Sequence, residues 1–178
     1  MNRQEWLLWR KQGIGASDVP AIMGVSPYSN IVKLYHEKIS DIIEDKTNYI
    51  MELGNKLEPV ARSKYEILND EDYPPVNFVH AEFPHYRASL DGYNKKLNSA
   101  IEIKYVGKSF KDECPVKYFP QIQYQYAVSS CERIDLVQID DMNNIKYFLV
   151  NKDQEYIKAM LEKVDWFWAC VIGRKEEE

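Results

Sequence analysis

Residues 88–105 read ASLDGYNKKLNSAIEIKY, and this stretch carries the strongest pattern in the sequence. Its last part, Ser99 to Tyr105, alternates between polar and apolar residues, as a half-buried β-strand does. Such alternation directs Glu102 and Lys104 to one face of the strand and the apolar side chains to the other. Asp91 lies upstream, where a strand end runs into an Asp-Gly turn. If the two segments pair as neighbouring strands, two carboxylates and one ammonium group converge.

That convergence would suit metal-assisted hydrolysis of a phosphodiester. Two carboxylates are hard oxygen ligands for a divalent cation such as Mg2+, and a lysine beside them can orient or deprotonate a water. Glu-x-Lys alone is a weak signal, since it recurs at Glu44-Asp45-Lys46. The alternative for Glu102 and Lys104 is an ion pair on an exposed strand face. The Asp-Gly turn, the apolar flanks and a predicted helix on each side favour the metal site.

Amphipathic helices are predicted on both sides of this stretch. The first runs from Asn48 to about Leu68 and carries Glu58 beside its apolar stripe. Pro59 disfavours a helical conformation at Glu58, so a kink or restart is expected there. The second helix runs from about Pro115 to Ser130, and its glutamines could simply form a polar face. These are Gln121, Gln123 and Gln125.

The remaining pattern predicts an α/β domain spanning residues 1–178, with helix, three strands, helix and strand as its core and extra helices at both ends. The further strands are expected at Val76–Phe83, Arg87–Leu90, Ile134–Ile139 and Ile145–Val150. The further helices are expected at Arg3–Lys11, from Ser17 as N-cap to near Gly24, from Ser29 or Asn30 to about Ser40, and from Asp153 to about Ile172.

Several motifs in a fixed order produce a family resemblance that covers nearly the whole chain. They are Arg10, Gly13-Ile14-Gly15-Ala16-Ser17-Asp18, Ile22 to Tyr28, Gly54-x-x-x-Glu58-Pro59-x-Ala61-Arg62, Ser89-Leu90-Asp91-Gly92, Glu102-Ile103-Lys104, Gln121-Ile122-Gln123-Tyr124, Asp153-Gln154-Glu155 and Val164-x-x-Phe167-Trp168. The set resembles the PD-(D/E)XK nuclease core and, more narrowly, the YqaJ-type viral recombinase family, to which phage lambda exonuclease is related. Two features depart from the family: Tyr105-Val106 replaces the usual Cys-Pro or small residue, and the run from Lys104 to Gln121 is short.

The resemblance implies a restriction-endonuclease-like fold, with a central mixed β-sheet flanked by helices. It also implies that Asp91, Glu102 and the Ile103 carbonyl bind Mg2+, for which Mn2+ can substitute. Lys104 would act on the attacking water. The supporting residues would be Glu58, for metal-bound water or a second ion, and Gln121, for the scissile region, with Gln123 as the alternative to Gln121.

A 5′-phosphate pocket is a further implication, because Arg10, Ser17 and Ser89 match positions that hold the terminal phosphate in lambda-type exonucleases. Arginine offers a planar fork of donors suited to phosphate oxygens, and serine hydroxyls and helix N-terminal amides extend such a site. The alternative is that Arg10 is a surface residue and Ser17 only a helix cap. Gln123 is grouped with these DNA-contacting candidates.

The expected function is therefore a Mg2+-dependent exonuclease that resects duplex DNA ends from 5′ to 3′ and supplies single strands to an annealing recombinase. Strand polarity, the 5′-phosphorylated duplex end and a ring-shaped homotrimer come from the resemblance alone. A sequence- or structure-specific endonuclease on the same core is one alternative. A non-catalytic DNA- or partner-binding module is the other, although such a module would normally have lost one of Asp91, Glu102 or Lys104.

Composition limits the other classes of function. No apolar run approaches a membrane span, and no signal peptide precedes the helix near Arg3. The three cysteines lie far apart without a Cys-x-x-Cys pair, which argues against zinc and iron–sulfur sites. They favour a reducing, cytosolic compartment. The family resemblance implies that this is the cytoplasm of a bacterial host carrying the gene on a phage or prophage.

The net charge of −5 is unusual for a nucleic-acid enzyme, because phosphate contacts usually need a basic surface. Basic residues nevertheless cluster in sequence around the predicted site, which is compatible with a basic groove on an acidic protein. The clusters are Arg3, Arg10 and Lys11; Lys95 and Lys96; and Lys104, Lys108, Lys111 and Lys117.

Overall fold

The computed structural model describes residues 1–176, with side chains through residue 174. The helices are α1 (Arg3–Lys11), α2 (Val19–Ile22), α3 (Ile31–Ile39), α4 (Tyr49–Asn69), α5 (Phe119–Ser129) and α6 (Gln154–Glu176), with one 3-10 turn at Ala16–Asp18. The strands are β1 (Ile14–Gly15), β2 (Val76–Val79), β3 (Tyr86–Leu90), β4 (Gly92–Asn94), β5 (Ser99–Tyr105), β6 (Arg133–Ile139) and β7 (Ile145–Val150).

The strands form two mixed sheets that meet at Asp91. One sheet has the order β1-β3-β2 and the other the order β4-β5-β6-β7. The β1/β3 and β5/β6 pairs are parallel, and the remaining pairs are antiparallel. The prediction of a single central sheet is therefore wrong, because the strands are divided between two sheets. The strand that ends in Asp91 was also expected to pair directly with β5, and it does not. Asp91 ends β3, and the extra short strand β4 pairs with β5 instead.

Gly92 makes this change of sheet sterically feasible. It lies opposite Ile101 in the β4/β5 ladder. A Cβ at this position would lie 2.7 Å from the backbone oxygen of Tyr73 and 2.8 Å from the Ile101 side chain. Only glycine fits so close an approach, so the Asp-Gly pair allows the chain to cross directly from one sheet to the next.

Strand β5 is packed on both faces over most of its length, whereas its alternation predicts a half-buried strand. Ile101 and Ile103 face α4 and join an apolar cluster with Ala61 and Tyr65 of that helix. Glu102 points the other way, towards the glutamines of α5. The sheet therefore lies between α4 and α5, and its two polar catalytic candidates share the α5 side.

Helix α4 continues through Pro59, so the restart expected there does not occur. Proline removes one intrahelical hydrogen bond. Leu57 before it and Ala61 and Tyr65 after it nevertheless pack into the same apolar cluster. Because both halves bury side chains against the same sheet, packing outweighs the lost bond.

Two other local expectations were wrong. Strand β2 ends at Val79 rather than Phe83, because the His80 ring accepts the amide N–H groups of Glu82 and Phe83 and turns the chain back. Ser17 is not an N-cap, since it lies inside the 3-10 turn that Gly15 precedes. None of the helices among the described residues has both the length and the apolar character needed to cross a membrane.

Candidate active site

Asp91 lies at the junction of the two sheets, and both its side chain and its backbone carbonyl accept hydrogen bonds. Its Oδ2 accepts a hydrogen bond from the Ile103 amide at 2.7 Å. Its carbonyl accepts another from Arg62 Nε at 2.7 Å. The Nη2 atom of the same guanidinium lies 2.6 Å from Glu58 Oε2. Arg62 therefore joins Glu58 of α4 to the backbone of Asp91.

Glu102 and Lys104 form a closed triangle with Gln121. Lys104 Nζ lies 3.0 Å from Glu102 Oε1 and 3.0 Å from Gln121 Oε1. Gln121 Nε2 donates to Glu102 Oε1 at 2.8 Å. The other carboxylate oxygen accepts from Gln125 Nε2 at 2.7 Å. Both oxygens of this buried carboxylate are thus fixed in direction before any ligand binds.

The acidic residues carry more negative charge than their neighbours neutralise. Burial, and then the carboxylates of Glu102 and Glu58, raise the pKa of Asp91 well above its usual range, and Lys104 opposes this only in part. Oxygen donors with such uncompensated charge fit a hard divalent cation. In the part of the chain that the structure describes, no group of three or more His, Cys, Asp or Glu side chains is arranged to hold a metal. A bound ion would therefore need backbone or water ligands as well.

Lys104 is a cation in this arrangement. Burial alone would lower its pKa, but the carboxylates of Glu102 and Asp91 outweigh that and raise the pKa above its usual value. Two of its three N–H groups serve Glu102 and Gln121. The third remains for a water or a phosphate oxygen. In this state Lys104 can orient a nucleophile but cannot accept a proton.

Arg10 and Ser17 lie together, as the resemblance implies. Arg10 Nη2 donates to Ser17 Oγ at 3.2 Å and to Asp18 Oδ1 at 2.7 Å. Lys38 Nζ lies 2.7 Å from the other oxygen of Asp18. Burial favours the neutral acid, yet Lys38 and Arg10 lower the pKa of Asp18 to about 2. One carboxylate faces two cations here, so the group keeps a net positive charge.

Ser89 reaches the same region through Trp6. The indole Nε1 of Trp6 donates to Ser89 Oγ at 3.1 Å, and the Arg10 guanidinium carbon lies 4.9 Å from the centre of the Trp6 ring. Trp6 and Arg10 are one turn apart on α1 and share a face. Helix α1 therefore brings the arginine over the strand that ends in Asp91.

A cavity of about 810 Å³ connects the acidic and the basic groups. Its lining includes the carboxylate and lysine candidates together with the phosphate-pocket candidates. These are Asp91, Glu102, Lys104, Gln121, Arg10, Ser17 and Ser89. Residues that are far apart in the sequence therefore line the same cavity.

Gln123 does not share this position, so Gln121 is the glutamine at the site. Gln123 is fully buried. Its Nε2 donates to the Asn151 carbonyl and its Oε1 accepts from the Asp153 amide, both at 2.8 Å. Through these hydrogen bonds Gln123 connects α5 to the start of α6.

Some residues at the site were not identified from the sequence. Gln125 and Arg62 each lie one helical turn after an identified residue, and helix periodicity could have indicated both. Asp18 and Trp6 gave no comparable signal, because their roles depend on the packing of α1 against β3.

Comparisons with known proteins agree with this architecture. The model of the YqaJ-like viral recombinase domain family matches residues 5–132. The chain is 24% identical over 178 residues to the uncharacterized protein YqaJ of Bacillus subtilis (strain 168), covering 94% of this chain and 56% of that protein. It therefore spans little more than half of that relative's length.

Two solved structures have a similar fold. The alkaline exonuclease LHK-Exo from Laribacter hongkongensis superposes with a TM-score of 0.83 at 24% identity, over 98% of this chain and 95% of that one. It has also been solved in complex with dAMP. A phage-related exonuclease from Haemophilus somnus 129PT superposes with a TM-score of 0.70 at 15% identity, over 93% and 96%. These likenesses confirm the expected α/β fold, with mixed sheets flanked by helices.

Proposed function

The chain belongs to the YqaJ-like viral recombinase domain family, and from this premise we propose that it is a metal-dependent DNA exonuclease. It would resect duplex ends from 5′ to 3′ and so provide single strands for annealing recombination. The observation that carries the proposal is the shared cavity, in which a buried acidic centre with a lysine adjoins a basic group with two serines. The first suits phosphodiester hydrolysis, and the second suits a terminal phosphate.

Each side chain has a physically defined task in this proposal. Asp91 and Glu102 would hold Mg2+ or Mn2+ with the Ile103 carbonyl, and Gln121 and Gln125 keep the Glu102 carboxylate aimed. When bound, the ion supplies positive charge that stabilises the reacting phosphate. Lys104, held by Glu102 and Gln121, orients the attacking water.

Glu58 and Arg62 support this centre from α4. The Arg62 guanidinium fixes the Asp91 carbonyl and the Glu58 carboxylate at the same time. Glu58 would serve metal-bound water or a second ion. This arrangement makes the position of Asp91 depend on helix packing as well as on the β3–β4 connection.

The basic group would determine where on DNA the enzyme acts. Arg10 donates to Ser17 and Asp18 through one nitrogen, Nη2, and the rest of its donor fork can bind phosphate oxygens. The relative solved with dAMP binds a nucleoside monophosphate, which is the kind of product an exonuclease releases. On the family resemblance we also place a ring-shaped homotrimer and a single-strand-annealing recombinase partner in the proposal.

The proposed activity predicts digestion of linear but not of covalently closed duplex. A gel with end-labelled linear and closed circular DNA, each with Mg2+ and with EDTA, would test it. Loss of label from the linear duplex only, and only with Mg2+, is the expected result, because the pocket needs a strand end. Cutting of the closed circle would instead identify an endonuclease, and digestion in EDTA would exclude the metal.

The phosphate pocket predicts a preference for 5′-phosphorylated ends. The wild-type chain should digest 5′-phosphorylated duplex about tenfold or more faster than 5′-hydroxyl duplex, since a charge-assisted bidentate contact is lost without the phosphate. Arg10→Ala should remove most of this preference while leaving metal binding intact. Lys158→Ala, at an exposed lysine of α6 outside the cavity, serves as the control. Equal rates on the two ends for the wild-type chain would contradict the pocket.

A further inference from the structure

A row of alternating aromatic and cationic side chains leads away from the acidic centre. Lys104 Nζ lies 4.9 Å from the centre of the Tyr118 ring. On that same ring, Lys117 Nζ also lies 4.9 Å from the centre, and it lies 5.7 Å from the centre of the Tyr28 ring. Tyr118, Lys117 and Tyr28 are called the aromatic–lysine strip below. The strip begins in contact with a residue of the proposed reaction centre.

The outer end of the strip is exposed but well anchored. Tyr28 is 75% exposed. Its turn is closed by Ser26 Oγ, which accepts the amide N–H groups of Tyr28 and Ser29 at 3.1 and 3.2 Å. A large ring on a fixed turn loses little conformational entropy when a flat ligand stacks on it.

The inner end is equally fixed. Tyr118 precedes the first residue of α5, and its amide donates to the Pro115 carbonyl at 2.9 Å. Lys117, its neighbour in sequence, is half-buried. Burial by itself would lower the pKa of Lys117, but contacts with the phenols of Tyr118 and Tyr28 together outweigh it and raise the pKa, so the ammonium stays charged at neutral pH.

Alternation of rings and positive charge suits one class of ligand, a single strand of nucleic acid. Unpaired bases offer flat faces that stack on aromatic side chains, and the backbone phosphates pair with lysines. In a duplex the base faces are covered by neighbouring base pairs, so the rings would find nothing to stack on. On a chain whose net charge is −5, local lysines are needed for any such contact.

We propose that the aromatic–lysine strip binds single-stranded DNA as it separates from the strand entering the reaction centre. This proposal rests on the proposed nuclease function, because the strip is linked to the proposed reaction centre through the contact between Tyr118 and Lys104. A base would stack on Tyr28, and Lys117 would contact the adjoining phosphate.

Fluorescence anisotropy with a labelled oligothymidylate in EDTA tests the strip without cleavage. Tyr28→Ala should raise the Kd of the full chain about tenfold, the range expected for one stacked base. Tyr28→Phe should retain most of the affinity because the ring face remains. Lys117→Gln should lower the slope of log Kd against log salt by about 0.7, as the loss of one phosphate contact on a single strand requires.

Tyr49→Ala is the matched control, since Tyr49 is also 75% exposed but lies near Tyr105 on the α4 side of β5. An equal loss from Tyr49→Ala, a change below about twofold from Tyr28→Ala, or no binding of the oligothymidylate by the wild-type chain would each overturn the strip. These outcomes leave the nuclease proposal standing, because the end-labelled gel tests that proposal separately.

Discussion

Replacing Asp91 by alanine or asparagine is expected to abolish cleavage while leaving the chain folded. Asp91→Asn is the sharper variant, because its amide oxygen can still accept the Ile103 N–H that Asp91 accepts at 2.7 Å. The negative charge that would bind the metal is then the main thing removed. Single-turnover cleavage of end-labelled duplex at saturating Mg2+ would measure the loss.

Although Asp91→Asn should abolish cleavage, it is expected to preserve or increase the stability of the fold. Burial and the carboxylates of Glu102 and Glu58 raise the pKa of Asp91, so ionised Asp91 costs stability above its unfolded-state pKa, including neutral pH. Asp91→Asn should therefore keep or raise the Tm measured by circular dichroism at pH 7 without metal. Asp112→Asn, at an exposed acid paired with Lys146, is the control. Cleavage by Asp91→Asn at the wild-type rate would contradict the assignment of Asp91 as a metal ligand.

Removal of the Lys104 ammonium should cost about a hundredfold or more in rate, the range for groups that act on a transferred proton or an attacking water. Lys104→Ala leaves both carboxylates in place, so Mn2+ binding measured by calorimetry should persist. Lys104→Gln preserves a hydrogen-bond donor to Glu102, and its rate would separate the charge from the positioning of Glu102.

Lys158→Ala is the control for that experiment, because Lys158 is an exposed lysine of α6 that lies outside the cavity. It should cleave at close to the wild-type rate. A loss of only about twofold in Lys104→Ala, measured at saturating Mg2+, would exclude a direct action on the water.

Helix α5 shows which features helix periodicity can predict and which depend on packing. Gln121 and Gln125 are four residues apart and share a face, whereas Gln123 lies on the opposite side. Helix periodicity could therefore have set Gln123 apart from the other two, although the motif order left Gln123 as an alternative to Gln121. Which face meets β5 depended on packing, and the structure turns Gln121 and Gln125 to Glu102 and Gln123 to the start of α6.

The sequence by itself determined the features that depend on neighbours along the chain. Alternation in Ser99–Tyr105 placed Glu102 and Lys104 on one face, and the Asp-Gly turn and the ordered motifs indicated the nuclease-like core. These signals are local, because side-chain direction in a strand or helix follows from backbone geometry alone.

Only the tertiary structure decided which distant residues meet. The split of the sheet at Asp91, the anchoring of Arg10 by Asp18 and Lys38, and the Trp6 contact with Ser89 join segments up to 83 residues apart. Such contacts depend on how helices dock on the sheet, which is set by the summed burial of many side chains and not by any local pattern. The proposed reaction centre could therefore be predicted from one stretch of chain, whereas the cavity that joins it to the basic group required the complete fold.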